Sequence, residues 1–262
     1  SSMAHPGRHD DELRHRVYLT HRYFMQETEV TKAQWDTVFA PGAYVPSPEF
    51  DCDQCPVSGL NFFNALYYAN QISERAGLPH CYSMNQCNAE VGTPHFNCQD
   101  IIVNTASGSP YDCLGYRLPT EAEWAYAAGG GADTILPTGN PQVPDQDLEA
   151  AYAEFKTLSC EHVARANVGG DVFQGINDCA RTAQRIANGL CGVDAPCLNP
   201  VASSGEPNVF GLSDMLGNVS EWVWDRYAPY DGQPVTNPTG ATRGHLRVIR
   251  GGSYRTPRYH MR

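Results

Sequence analysis

The chain combines a few segments of regular apolar spacing with long stretches that have no period. Helical spacing is clearest in the segment "LNFFNALYYANQISERAGLP", where apolar residues recur every three or four positions between Phe62 and Ile72. Gly77 and Pro79 follow, and this order is typical of the C-terminal end of a helix. The pattern therefore predicts a long amphipathic helix that stops at Gly77.

Two shorter helices are predicted from their N-terminal caps. In "EVTKAQWDTVF", Thr31 and Gln34 have the spacing of a capping box, in which each side chain accepts a hydrogen bond from the other residue's backbone N–H group. In "YRLPTEAEWAYAAGGG", Thr120 and Glu123 repeat that spacing, and Gly129 ends the pattern. Acidic residues in this first turn also suit the positive end of the helix dipole.

Three segments favour strands because β-branched and aromatic residues are concentrated in them: "HRVYLTHRYFMQ", "SEWVWDRY" and "LRVIRGGSY". Between Gly129 and Pro207 the period fades, except for a weak helical run, "DQDLEAAYAEF". We interpret that stretch as covalently stapled loops and not as a second domain. The expected fold is α+β and loop-rich, with short antiparallel strands and a few helices, in a single domain over residues 1–262.

The charge balance is strongly acidic, with a formal net charge of -11 from 18 Lys and Arg against 29 Asp and Glu. Such a surface repels phosphate groups, so a nucleic acid is not an expected partner. No apolar run approaches the roughly 18–20 residues that a spanning helix needs, so no membrane span is expected.

Ten cysteines are present, which is an even number and high for a cytosolic chain of this size. Along the sequence they fall into neighbouring groups: Cys52 and Cys55, Cys81 and Cys87, Cys98 and Cys113, and then Cys160, Cys179, Cys191 and Cys197. The segment "CDQC" also has the spacing of two zinc ligands, but a second pair in a finger-like context is missing. Disulfides are the favoured interpretation, with a connectivity that the sequence leaves open. They predict an extracellular or periplasmic location.

Four motifs occur in order and at wide spacing: "TEVTKAQW" at 28–35, "YRLPTEAEWAYAA" at 116–128, "NVFGLSDMLGNVSEWVWD" at 208–225 and "RVIRGGSY" at 247–254. Together they resemble the formylglycine-generating enzyme family, also called sulfatase-modifying factor, which includes the ergothioneine-synthase and pyoverdine-maturation branches. The resemblance spans nearly the whole chain and implies a C-type-lectin-like fold. Family members usually have a further strand before this start and a closing strand after this end, which leaves room for a longer parent protein.

The resemblance implies a calcium site in "SDMLGNVSEW". The family's ligands fall on the side chains of Asp214 and Glu221 and on the backbone carbonyls of Gly217 and Val219. Carboxylate and carbonyl oxygens in a flexible geometry suit calcium. Without the resemblance, the two acids would be interpreted as solvated loop residues. Asn218 also opens a glycosylation sequon, but a glycan in this loop would conflict with burial, so a structural role is favoured.

A second calcium site of the family would fall on Asn167 and the carbonyl of Val168 in "ARANVGG". Asp194 is the acid nearest to the position expected for the remaining ligand, although insertions and cysteines disturb the register there. The expected cofactor is therefore one or two calcium ions.

The catalytic positions of the family are changed in this chain. In the oxidase branch, two cysteines after the Gly-Gly-Ser segment hold copper(I), and the matching positions here are Thr256 and Met261. Neither side chain can supply a thiolate. Copper and formylglycine-generating oxidase activity are therefore not expected.

Iron is the metal of the ergothioneine-synthase branch and would need a cluster of histidines. His5, His9 and Asp11 have a suitable spacing near the start of the chain. The proline and glycine between the two histidines oppose the helix that carries the similar motif in that branch. Iron is therefore not expected either.

The C-terminal segment "RVIRGGSYRTPRYHMR" is basic on an otherwise acidic chain. Arg247 and Arg250 are expected to pair internally with the acids around Glu221 and Asp225. The residues that follow the glycine pair are expected to line a cleft and to bind a protein, a peptide or a small anionic ligand. These candidate ligand-binding residues are Tyr254, Arg255, Arg258 and Tyr259.

Three functions remain open at this level. The preferred one is a calcium-stabilised, disulfide-rich extracytoplasmic domain that acts as a binding or accessory module. The first alternative is a metal-dependent oxidative enzyme of the pyoverdine-maturation type, since that branch also lacks the cysteine pair. The second alternative is a structural component of a surface assembly.

Overall fold

The fold was analysed in a computed structural model, which describes residues 13, 15–39, 52–131, 200–203 and 207–253. The helices in these ranges are α1 (Lys32–Val38), α2 (Phe62–Arg75) and α3 (Glu121–Ala128), with a short 3-10 helix at Pro110–Asp112. The strands are β1 (Val17–Tyr18), β2 (Tyr82–Asn88), β3 (Asn97–Val103), β4 (Glu221–Arg226), β5 (Val235–Thr236) and β6 (Arg247–Arg250). None of these helices is long and apolar enough to cross a membrane.

The three predicted helices all form, and two of them begin at the predicted capping boxes. Thr31 and Thr120 each accept a hydrogen bond from the backbone N–H three residues later. In return, the side chains of Gln34 and Glu123 accept a hydrogen bond from the backbone N–H of the cap residue. Both caps satisfy N–H groups that a helix start would otherwise leave without a partner.

Helix α2 ends at the predicted glycine. Gly77 has a φ of +70°, a conformation that glycine adopts without steric cost. The N–H groups of Gly77 and Leu78 donate to the carbonyls of Glu74 and Ser73, at 3.0 and 2.8 Å. This is the Schellman arrangement, which satisfies the last carbonyls of the helix.

The strands of the described ranges form three separate pairs. Strands β2 and β3 make an antiparallel hairpin that the sequence analysis did not predict, and β4 pairs antiparallel with β6. Strand β1 lies parallel to β5, so one pair departs from the expected antiparallel arrangement. The predicted first strand is also reduced to two residues, because β5 offers only two residues to pair with.

The core consists of three groups of buried residues that join these elements. Leu66 of α2 packs with residues at the start of β2 and the end of β3. Trp124 of α3 packs with Val223 of β4 and with the loop that precedes it. Trp35 of α1 stacks on Tyr68 of α2, with 5.4 Å between the ring centroids. The second group is the one that positions the loop described below.

Three disulfides link the six cysteines of the described ranges: Cys52–Cys55, Cys81–Cys113 and Cys87–Cys98. Only the Cys52–Cys55 bridge joins two cysteines that were placed in the same group from their spacing in the sequence. Cys87 instead bridges to Cys98 because the two lie opposite each other in the β2–β3 hairpin. The bridge within "CDQC" also excludes the zinc alternative there. The remaining four cysteines lie outside the described residues.

Candidate metal centre and the adjoining crevice

The loop at residues 213–220 connects the core to β4 and is held by the first glycine of the Gly-Gly-Ser motif. The backbone N–H of Gly217 donates to the carbonyl of Gly251 at 2.8 Å. Gly251 has a φ of +82°, and a Cβ added there would lie 3.3 Å from Cζ2 of Trp124 and 3.4 Å from the carbonyl oxygen of Met215. A larger residue would be both strained and crowded. This glycine therefore seats the loop against α3.

Three carboxylates converge on this loop. Asp214 lies in it with a φ of +58°, Glu221 is the first residue of β4, and Glu29 reaches in from the segment before α1. Burial, together with the charges of Asp214 and Glu221, raises the pKa of the Glu29 carboxyl to about 9, although hydrogen bonds from the backbone of Glu29 and Val219 oppose that shift. Burial likewise raises the pKa of Glu221 to about 7, although a hydrogen bond from Trp124 opposes that shift. The cluster thus has an excess of negative charge, which protons or a bound cation would relieve.

Glu29 carries an unpartnered oxygen into this cluster. Its residue surface is only 9% exposed, and its Oε1 has no hydrogen-bond partner among the described residues. Its Oε2 accepts a long hydrogen bond of 3.4 Å from the side-chain amide of Asn218. A buried carboxylate oxygen without a partner is costly, and a bound water molecule or an ion would remove that cost.

The other two carboxylates are oriented by hydrogen bonds. The backbone N–H of Ala202 donates to Oδ2 of Asp214 at 2.5 Å. The indole Nε1 of Trp124 donates to Oε2 of Glu221 at 3.0 Å. Donors of this kind fix the direction of carboxylates that bind metals.

A cation at this loop would need backbone ligands as well as side chains. Across residues 13, 15–39, 52–131, 200–203 and 207–253, no group of three or more His, Cys, Asp or Glu side chains is arranged to hold an ion by itself. Gly217 and Val219 lie between the two predicted acids on the same turn, and their carbonyls are further oxygen donors. A set made only of oxygens fits calcium better than zinc, copper or iron. The residues present therefore fit the group that the family implies.

Asn218, the sequon residue, is engaged within the protein. It has a φ of +51°, is only partly exposed, and donates to Glu29. This contact supports the structural role predicted for it over glycosylation.

A large crevice adjoins the acidic loop, with a volume of about 1360 Å³. Its lining includes Tyr68 of α2 and Arg117, together with Glu29 and Glu221 of the acidic cluster. Ser253, the last described residue of the chain, also lines it. The crevice therefore joins the candidate metal centre to the Gly-Gly-Ser motif.

One wall of the crevice is fixed by a buried ion pair. Two nitrogens of Arg117 donate to the two carboxylate oxygens of Glu123, at 2.7 and 2.8 Å. The side chain of Glu123 is fully buried, and that of Arg117 is 12% exposed. The sequence pattern predicted only a capping-box role for Glu123, whereas this carboxylate also anchors the segment before α3.

The two arginines of β6 match the predicted pairing with nearby acids only in part. Nε of Arg250 lies 3.5 Å from Oε1 of Glu121, at the start of α3. Arg247 lies over the rings of Phe62 and Trp224, at 4.1 and 5.0 Å from their centroids. No ion pair to Glu221 or Asp225 themselves is found among the described residues, but Glu121 is bonded through its backbone N–H to Asp225, and the charge of Asp225 acts on Arg247, so the acids near these two positions are partners in part.

Several predicted site residues lie outside the described residues: the second calcium set (Asn167, Val168 and Asp194), the ligand-binding set (Tyr254, Arg255, Arg258 and Tyr259), the changed catalytic positions (Thr256 and Met261), and the histidine cluster (His5, His9 and Asp11). Of the predicted metal ligands, the structure describes Asp214, Gly217 and Val219 in the loop at residues 213–220 and Glu221 at the first position of β4. Glu29 was missed by the sequence analysis. Its only signal was its place in the motif "TEVTKAQW", which was used to predict a helix start.

Comparisons with known proteins agree with this architecture. Residues 3–262 match the family model described as FGE-sulfatase, sulfatase-modifying factor enzyme 1-like domain. The formylglycine-generating enzyme of Mus musculus is 34% identical over 142 residues, which cover 53% of this chain and 30% of that protein. The serine/threonine-protein kinase pkn1 of Chlamydia pneumoniae is 30% identical over 149 residues, covering 55% of this chain and 17% of that protein.

A solved structure shares the fold. Treponema denticola variable protein 1 matches with a TM-score of 0.56 at 24% sequence identity, over 89% of this chain and 74% of that one. The chain spans about a third of the length of the mouse enzyme it matches. Its α+β, loop-rich architecture with few helices and short strands is shared with that solved structure. The family match over nearly its whole length, together with the shared fold, places this chain in the FGE-sulfatase family of sulfatase-modifying factor enzyme 1-like domains.

Proposed function

We propose that this chain is a calcium-stabilised, disulfide-rich extracytoplasmic domain that works as a binding or accessory module and not as a copper oxidase. Calcium is held by the side chains of Asp214 and Glu221 and by the carbonyls of Gly217 and Val219. The ion supplies positive charge that offsets the carboxylates and fixes the loop before β4. The three disulfides among the described residues support a location in an oxidising compartment.

The observation that carries the calcium proposal is the unpartnered Oε1 of Glu29. This oxygen is buried beside Asp214 and Glu221, where no hydrogen-bond donor of the described residues satisfies it. A cation at the loop gives all three carboxylates a countercharge, whereas a cation-free loop leaves them to repel one another. Glu29 is thus a neighbour of the ion that helps to set the charge of the site.

The state of the cysteines supports a role other than that of a copper-dependent oxidase. Copper(I) binds thiolates, and the six cysteines of the described ranges are all in disulfides. The two positions that carry the oxidase cysteines in the family are Thr256 and Met261 here. The chain also resembles a segment that covers 17% of a protein named as a serine/threonine-protein kinase, so similar segments occur in proteins not named as formylglycine-generating enzymes.

The crevice is the proposed place of binding. It combines aromatic side chains with polar groups, as ligand sites commonly do. Ser253 lines it, and Tyr254 and Arg255 follow directly in the sequence. Guanidinium and aromatic groups at such a place suit a peptide, a protein or a small anionic ligand.

Thermal unfolding of the purified protein, with calcium and with a chelator, tests the metal part of the proposal. We expect calcium to raise Tm for the wild type, because an ion that binds only the folded state stabilises it. Asp214→Asn and Glu221→Gln should each reduce that rise by more than half. The control is Asp100→Asn, which removes an exposed carboxylate of β3 and should leave the rise unchanged. Equal responses in all four proteins would contradict the proposed site.

The binding part is tested with a peptide array followed by affinity measurements on the strongest hit. Arg258→Ala and Tyr259→Ala should weaken that affinity at least tenfold. Arg243→Ala, which removes an exposed arginine elsewhere, is the matched control and should leave it unchanged. Unchanged affinity in the first two variants would place the binding face somewhere else.

A further inference from the structure

The Cys52–Cys55 disulfide has features of a bridge that exchanges with other thiols. Its cysteines are three positions apart, in a C-x-x-C segment. Cys55 is only 1% exposed, whereas Cys52 is partly exposed, and Asp53 and Gln54 between them are exposed. A thiolate from solvent can therefore approach the sulfur of Cys52 but not that of Cys55.

The small size of this loop means that the fold depends little on the bridge. The entropic cost of closing a flexible loop in the unfolded chain grows with the logarithm of its length, so the effect of a bridge on the folding equilibrium constant grows roughly with the 3/2 power of that length. The bridges with separations of 32 and 11 residues therefore shift the folding equilibrium constant roughly 35-fold and 7-fold more than this bridge of separation 3. It can thus open and close while the domain stays folded.

The turn formed by this disulfide is bonded to α1 through its backbone. The N–H of Lys32 donates to the carbonyl of Cys55 at 2.8 Å, and that of Ala33 donates to the carbonyl of Asp53 at 2.9 Å. These carbonyls satisfy two N–H groups at the start of the helix. A change of the turn therefore acts on the segment that carries Glu29.

A second set of bonds leads from the turn to Asp214. The carbonyl of Gln54 accepts a hydrogen bond of 2.9 Å from the N–H of Val201. The next residue, Ala202, donates its N–H to Oδ2 of Asp214. The disulfide turn and the acidic loop are thus connected by two hydrogen bonds through residues 201 and 202.

We propose that Cys52–Cys55 is a reversible redox site that exchanges with a dithiol, and that opening it weakens cation binding at the Asp214 loop. The second half rests on the proposed calcium site, and the first half is independent of it. The partner is a dithiol, either a small molecule or a protein with two neighbouring cysteines.

The exchange is a two-step reaction. A thiolate of the partner attacks the sulfur of Cys52, the Cys52–Cys55 bond breaks, and Cys55 leaves as a thiolate that takes up a proton. The second thiolate of the partner then attacks the partner's first sulfur, which is bonded to Cys52 in the mixed disulfide. This attack forms the partner's disulfide and releases Cys52 as a thiolate that takes up a proton. The domain gains two electrons and two protons, and the partner dithiol is oxidised to a disulfide.

Graded reduction of the wild-type protein with dithiothreitol tests the exchange site. Samples are quenched in acid, unfolded and labelled with N-ethylmaleimide, and the labelled cysteines are identified by peptide mass spectrometry. We expect Cys52 and Cys55 to be labelled at a dithiothreitol concentration at least tenfold lower than the other four described cysteines. The near-ultraviolet circular dichroism should stay native at that concentration. Simultaneous labelling of all six, or labelling only as the native signal is lost, would overturn the proposal.

Two single variants test which sulfur is attacked. Cys55→Ala leaves a partly exposed thiol at Cys52, and Cys52→Ala leaves a buried one at Cys55. The first should react with an aromatic disulfide at least tenfold faster than the second. Equal rates would overturn the assignment of Cys52 as the attacked sulfur.

Calcium titration of the oxidised and the selectively reduced protein tests the coupling. We expect a Kd at least threefold weaker after reduction, and a Cys87→Ala/Cys98→Ala variant should retain the oxidised value. Equal Kd values would overturn the coupling and leave the exchange site standing. Absence of calcium binding in both forms would instead overturn the proposed metal centre, while the labelling result would remain a test of the exchange.

Discussion

At the scale of single residues, buried carboxylates mark the places where this chain departs from ordinary packing. Asp225 is 2% exposed and accepts a hydrogen bond of 2.8 Å from the backbone N–H of Glu121, at the start of α3. Burial, with the charges of Glu121 and Glu123, raises the pKa of Asp225 to about 7 despite that bond. The carboxyl therefore prefers to be protonated in the folded state over a range where the unfolded chain is ionised.

This shift makes stability depend on pH. Because the folded pKa is raised, the contribution of Asp225 is fully present below its ordinary value near 4 and is lost as the pH rises through about 7. Asp225→Asn keeps an oxygen for the Glu121 N–H and cannot ionise. From pH 4 to pH 8, we expect the unfolding free energy of the variant to fall by roughly 2–4 kcal/mol less than that of the wild type.

Urea unfolding at the two pH values measures this difference. Asp231→Asn, at an exposed acid of a nearby loop, is the control and should keep the wild-type dependence. A pH dependence of Asp225→Asn equal to that of the wild type would contradict the buried-carboxyl explanation.

The candidate site was predictable only where its residues had a pattern in the sequence. Asp214 and Glu221 were found because their motif resembles a family whose ligands are known by position. Glu29 was not found, because its burial depends on the packing of the segment before α1 against a loop that is 185 residues later in the sequence at Asp214. The pairing of Arg250 with Glu121 was missed for the same reason, since no local spacing connects them.

At the scale of elements, α3 is anchored by the buried Arg117–Glu123 pair while α1 has the partly exposed Lys32–Asp36 pair. Glu123→Gln leaves a buried guanidinium without its countercharge, which should cost about 3–5 kcal/mol of unfolding free energy. Asp36→Asn removes one partner of a pair in the first turns of a helix and should cost under about 0.5 kcal/mol. Chemical denaturation of both variants is the measurement. Similar losses in the two would contradict the assigned role of the buried pair.

The helices were predictable because their signals are local. The capping boxes at Thr31 and Thr120 and the glycine at Gly77 lie within a few residues of the ends that they determine. The β2–β3 hairpin was missed because its strands, "YSMNQCN" and "NCQDIIV", mix polar and apolar residues without a regular alternation. In the hairpin Cys87 lies opposite Cys98, and a disulfide joins the two. The sequence does not show that these two cysteines face each other.

At the scale of the whole molecule, covalent bridges stabilise a chain that is rich in loops. Removing the Cys81–Cys113 bridge, with a separation of 32 residues, by double alanine substitution should cost about 4 kcal/mol in the loop-entropy model. The Cys52→Ala/Cys55→Ala variant, with a separation of 3, should cost under about 2 kcal/mol. Guanidinium unfolding under non-reducing conditions measures the unfolding free energies of the two double variants and of the wild type. A larger loss for the short bridge would contradict the argument that the fold depends little on it.

The fold of the whole molecule was predictable from motif order, since four separated motifs together resemble one family. The disulfide connectivity was not, because each bridge depends on which segments the fold brings together. The parallel pairing of β1 with β5 has the same origin, since these strands are more than 200 residues apart and neither sequence identifies its partner.

The central claim is that this domain carries calcium at the loop of Asp214 and Glu221 and no redox metal. Plasma mass spectrometry on protein purified without a metal-affinity tag and without added metals tests it most directly. We expect calcium at about one or two ions per chain in the wild type, with a loss of about one ion in an Asp214→Asn/Glu221→Gln variant that remains folded. Stoichiometric iron or copper, or a calcium content that the double substitution leaves unchanged, would contradict it.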